Sequence, residues 1–124
     1  MTTSTPSTTI SSETQPSMSD ALARLWTRFL PEIQNRMNLV ETAVRGSQDL
    51  DLGDASSTES FLPVRDAGYQ AAHKLAGILG TFGLHRGTEL ARRLELWLEN
   101  SADQENANEA MAWALELREI LQRP

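Results

Sequence analysis

The 124-residue chain has no cysteine, a single lysine, a single tyrosine and no long apolar run. Without cysteine, disulfides and thiolate metal sites are excluded. Nowhere do the roughly eighteen uncharged apolar residues of a membrane helix occur in succession. The Ser/Thr-rich start lacks the basic and apolar regions of a secretory signal, so a cytoplasmic protein is expected. Positive charge is also scarce. Eleven Lys and Arg stand against seventeen Asp and Glu, a net charge of −6. A nucleic-acid binder carries a basic stripe, and none is visible, so nucleic acid is not an expected partner. What is present, 40% hydrophobic residues in a short chain, suffices for one domain with a small core.

Hydrophobic periodicity organises that domain. Residues 1–17 (MTTSTPSTTISSETQPS) hold almost nothing apolar and are expected to form a disordered tail, with the folded domain over 18–124. From Ser19 onward, Leu22, Leu25, Trp26, Phe29, Ile33, Met37, Val40 and Val44 recur every three or four residues, the stripe of an amphipathic helix. Ser19 or Asp20 is its expected cap and Gly46 its end. Pro31 is expected to split off a short extra N-terminal helix. The polar stretch GSQDLDLGDASSTESF reads as a long loop, with Leu50 and Leu52 touching the domain. Pro63 then suits the first turn of a helix running to about Phe82 and ended by Gly83. A third stripe starts near His85. A fourth runs to about Gln122, with Asp103 or an Asn106–Glu109 capping box before it. No strand period appears. The predicted fold is all-α, an antiparallel four-helix bundle with the short extra N-terminal helix.

One segment does not fit a purely structural account. AAHKLAGILGTFGL, residues 71–84, places glycines at 77, 80 and 83 after His73, although each glycine inside a helix costs roughly 1 kcal/mol relative to alanine. At about 100° per residue, Gly68, Ala71, Ala72, Leu75, Leu79 and Phe82 form the core face. His73 lies roughly 160° from Leu75 and shares the outer face with Asp66, Gln70, Gly77 and Gly80. The histidine is therefore expected to stand in water, unpaired, beside a shelf bare of side chains. An exposed neutral imidazole is a competent nitrogen nucleophile.

HKLAGILGTFGL resembles the motif of histidine-containing phosphotransfer (HPt) domains. His73, Leu75, Gly77 and Gly83 occupy matching positions, and LHRGTELARRLE looks like the helix that follows in that family. The resemblance is strongest over residues 71–95. It implies a carrier in a multistep phosphorelay, with His73 taking a phosphoryl group from a receiver-domain aspartate and passing it to another receiver. Gly77 would keep space beside that group, and Gln70 and Gly80 would share the docking face. The family commonly has lysine three residues after the histidine. That place is Ala76, so Lys74 or Arg86 is expected to supply the cation. The implied partners are response-regulator receivers and a hybrid sensor kinase, with the domain a monomer. The implied carrier is not an enzyme. It has no kinase activity and no cofactor of its own, and Mg²⁺ sits on the receiver alone.

Other readings draw less support. A pure docking module that never carries phosphate would present the same face and is the alternative. His85 is expected to be a surface or capping residue, and two histidines make no metal site. The acidic residues scatter over solvent faces, leaving general acid–base catalysis without an anchor. Trp26, Trp97 and Trp113 fall at core spacing. The stripes are too short and interrupted for a coiled-coil seam.

Overall fold

The computed structural model describes residues 19–100 and 102–122, so the expected tail over 1–17 lies outside it. Four helices follow in order: α1 (Asp20–Gln48), α2 (Ala55–Thr81), α3 (His85–Asn100) and α4 (Ala107–Gln122), the last preceded by a 3₁₀ turn, Gln104–Asn106. There is no strand among the described residues. Each helix packs on the next and α4 closes back on α1, giving a four-helix bundle. Its interior is aliphatic: Ile33, Met37, Val40, Val44, Leu75, Leu79, Leu90, Leu94, Leu98 and Leu117 are fully buried.

The expected separate N-terminal helix does not form. Ser19 caps α1, its hydroxyl accepting from the Leu22 N–H at 3.3 Å, and the helix runs unbroken through Pro31. Proline there removes the hydrogen bond to the Thr27 carbonyl and costs about 3 kcal/mol. Packing outweighs it. Trp26 is buried edge-on against Phe82, ring centroids 5.1 Å apart, and Leu22, Leu25 and Leu30 rest on the core. Each large apolar side chain so buried returns about 1.5–3 kcal/mol.

The long loop is also shorter than its composition suggests. Asp54 caps α2, accepting from the Ser56 N–H at 2.9 Å, so helix begins eight residues before Pro63. Phe61 draws this polar turn onto the bundle by packing over Gly46, where an added Cβ would stand 3.0 Å from the ring. Gly46 is thus a close-approach residue, and α1 continues to Gln48. Leu50 packs on the core, whereas Leu52 is exposed.

The α2–α3 corner forms as expected at Gly83, whose φ of +73° favours glycine. Gly83 N–H donates to the Gly80 carbonyl and Leu84 N–H to that of Leu79, a Schellman closure. At the opposite end, Ser47 Oγ donates to the Ala102 carbonyl at 2.7 Å, and Gln104 Nε2 donates to the carbonyls of Gln48 and Leu50. The cap before α4 is Asp103. Asn106 donates to it through both backbone and side chain instead of opening a capping box of its own. One acid lies inward against expectation: buried Glu41 accepts from Arg118 Nε, tying α1 to α4.

Candidate functional site

The α2 core face is buried as its phase requires, with Gly68, Ala71, Ala72, Leu75, Leu79 and Phe82 all inside and Ala76 beside them. The opposite face therefore has to meet water. Asp66, Gln70, His73, Gly77 and Gly80 are all exposed along it. The His73 side chain keeps 60% of its surface open.

The imidazole is exposed but not unpaired. Its Nδ1 lies 2.8 Å from Oε2 of Glu95 on α3, a carboxylate that is itself only 15% exposed and so held in place. An ionised carboxylate only accepts hydrogen bonds, so the shared proton belongs to Nδ1 and the Nε2 lone pair is free. Tyr69, one turn earlier on α2, stacks against the ring, centroids 6.5 Å apart and planes 27° apart. Ring position and tautomer are both restrained, and the nitrogen left with an open lone pair is the distal one.

The glycines separate by function. A Cβ at Gly77 would meet nothing within 4 Å, and one at Gly80 only the Thr88 hydroxyl at 4.0 Å. A Cβ at Gly68 would lie 2.5 Å from that of Ala43, and one at Gly87 3.2 Å from Leu79. Gly68 and Gly87 let helices pack, whereas the fold places no such demand on Gly77. Helical side chains lean toward the N-terminus, so any side chain at 77 would lie back over the His73 turn.

The two expected cations fare differently. Lys74 is exposed and without an ion pair among the described residues. Arg86 is committed elsewhere. Its Nε and Nη2 grip Glu116 at 2.7 and 3.0 Å, and its Nη1 reaches Glu89 at 3.0 Å. The hydrogen bonds to Glu116 and then Glu89 raise the Arg86 pKa, and that guanidinium in turn lowers both carboxyls. This α3–α4 clamp engages three of the five Arg86 N–H donors and sets two carboxylates against its charge.

Sequence reasoning missed Glu95 and Tyr69. Tyr69 was visible as the residue four before His73 on one helix. Glu95 sits in the noted RRLE segment, but its pairing depends on how α3 is registered against α2. His85 is exposed at the start of α3. Among the described residues, no group of three or more His, Asp or Glu side chains could hold a metal ion, and no helix is long and apolar enough to cross a membrane. A cleft of about 650 Å³ around Leu50, Phe61, Leu62 and Arg65 lies eight to twelve residues along α2 from His73, roughly 12–18 Å. The His73 imidazole stands on an open face, an arrangement suited to a macromolecular partner rather than an enclosed small molecule.

The sequence profile of the family described as Hpt domain matches residues 24–123. The chain is 34% identical over 93 residues to Protein RcaC of Microchaete diplosiphon, an alignment covering 75% of this chain and 13% of that protein. The chain thus spans about an eighth of that relative's length. No solved structure matches it.

Proposed function

The chain belongs to the Hpt domain family, which has a general role in histidine phosphotransfer, and we propose that it is the phosphocarrier of a multistep phosphorelay with His73 as the acceptor. The observation that carries this reading is an exposed imidazole whose Nδ1 is engaged by Glu95, with bare helix surface at Gly77 one turn away. In the forward step, Nε2 attacks the phosphorus of a receiver's aspartyl phosphate. The N–P bond forms as the bond to the acyl oxygen breaks, and the aspartate leaves as a carboxylate. Nδ1 keeps its proton, and Glu95 faces the cationic ring that results. No proton needs to move, and the reverse step loads a second receiver.

Phosphoryl transfer asks mainly for in-line positioning and charge neutralisation, so so sparse a site is adequate. The receiver would bring the metal ion. Gln70, Gly77 and Gly80 would form the docking face with Lys74 at its margin, and Arg86 would act only as a structural clamp. On this reading the carrier works as a monomer in the cytoplasm, between a hybrid sensor kinase and its regulators, with no kinase activity of its own.

Incubation with a phosphorylated receiver domain tests the reading. The chain is expected to gain one acid-labile, alkali-stable phosphoryl group that maps to His73. A chain that binds the receiver but stays unlabelled would be the docking module instead. Glu95 is a positioning residue in this scheme. Glu95→Ala is expected to slow transfer about tenfold or more, since a hydrogen bond to a charged group contributes about 1.5–3 kcal/mol. Glu95→Gln, whose carbonyl still accepts from Nδ1, recovers part of that loss. Equal rates in all three proteins would remove Glu95 from the mechanism.

A further inference from the structure

Helix α3 carries three arginines, and two of them are spoken for. Arg86 holds Glu116 and Glu89, while Arg93 binds Glu89 at 2.6 Å and lies over the Trp113 ring. Arg92 is exposed and has no hydrogen bond or ion pair among the described residues. Its position is set by the register of α3 against α2. Glu95 is paired with His73, and Thr88 is the nearest neighbour of the position at Gly80. Thr88, Arg92 and Glu95 fall within about 60° of one another around α3 at roughly 100° per residue. Arg92 therefore lies between the two observed contacts along α3, at the solvent edge of that strip, across from the stretch of α2 where Gly77 leaves open space.

The chemistry of a loaded site calls for such a group. A phosphoryl group on Nε2 brings up to two negative charges beside the Glu95 carboxylate, while Arg65, Asp66 and Glu99 line a cleft further toward the start of α2. A free cation one turn from Glu95, about 5 Å along α3, can offset the phosphoryl charge. We infer that Arg92 is the phosphoryl-binding cation of this site, reaching across the gap at Gly77 to the phosphoryl oxygens; the role rests on the carrier reading above. A guanidinium offers a planar fork that bonds two phosphoryl oxygens at once, which an ammonium does not. Lys74 lies about 100° from His73 around α2, on the side away from α3. Glu95 draws the imidazole toward α3, so Arg92 is the better placed of the two.

The test phosphorylates the full chain in two ways, with phosphoramidate and with a phosphorylated receiver domain, and follows the label by intact mass. Arg92→Ala, Arg92→Lys and Lys74→Ala are compared with the native chain, with helix content and Tm as fold controls. Arg92→Ala is expected to slow labelling by both donors about tenfold or more, the size of a lost charge-assisted hydrogen bond. Arg92→Lys recovers part of the rate. Lys74→Ala is expected to lose less of the phosphoramidate rate than Arg92→Ala, and an equal or larger loss overturns the choice of Arg92 over Lys74. A native rate in Arg92→Ala overturns the assignment and leaves the carrier reading standing. A deficit with the receiver alone also overturns it, because the small donor needs no docking surface and Arg92 would then be a docking residue. A native chain that neither donor labels overturns the carrier reading itself, and this role with it.

Discussion

His73→Gln is expected to abolish phosphoryl acceptance outright while leaving the stability of the bundle within about 0.5 kcal/mol of native. The two outcomes separate because the imidazole contributes little to the fold. Its side chain is 60% exposed, with one hydrogen bond, to Glu95, and one stacking neighbour, Tyr69. Glutamine is preferable to alanine for this experiment. Its amide N–H can still donate to Glu95, so that largely covered carboxylate is not orphaned, and the amide nitrogen has no free lone pair with which to attack phosphorus. Thermal unfolding followed by circular dichroism measures the first expectation, and phosphorylated-receiver labelling the second. Label persisting at His85, the only other histidine, would show a second acceptor and end the single-site account.

The orientation of His73 was legible because it depends on phase within one helix. Six residues at helical spacing commit α2 to one inward face, and His73 is nearly opposite. The cap at Ser19 and the turn at Gly83 were readable for the same local reason. The errors came where tertiary contacts outweigh local preference. Pro31 costs α1 a hydrogen bond, but Trp26 on Phe82 keeps the helix continuous through it. The serines and threonines after Asp54 are weak helix formers, yet Phe61 seated on Gly46 anchors them. The partners of the site are set at longer range still. Glu95 meets His73 across 22 residues, and Arg86 meets Glu116 across 30, so neither pairing follows from the periodicity of a single helix. That is also why the cation most obvious in sequence, Lys74 beside His73, ranks below Arg92 once the α2–α3 register is known.

Two glycines on α2 make the role of the shelf measurable, because the same substitution is expected to act with opposite sign at each. At Gly77 an added methyl meets nothing within 4 Å. Gly77→Ala should stabilise the bundle by up to about 1 kcal/mol through helix propensity and a less flexible unfolded chain. At Gly68 the methyl would stand 2.5 Å from the Ala43 Cβ and 3.4 Å from the Leu39 carbonyl, so α1 and α2 must part. Gly68→Ala should cost about 1–3 kcal/mol, a large share of the 5–15 kcal/mol available to a domain. Function should run the other way at Gly77. A bulky residue there, as in Gly77→Leu, would lie back over His73 and displace an incoming receiver. A misplacement of about 1 Å in such a reaction costs on the order of a hundredfold in rate. Gly77→Leu is thus expected to unfold no earlier than native and yet to transfer about a hundredfold more slowly, with denaturant unfolding and labelling kinetics read on the same preparation. Stability and transfer falling together at Gly77 would mean that the glycine serves packing after all, and native-rate transfer in Gly77→Leu would mean that the partner approaches His73 from another side.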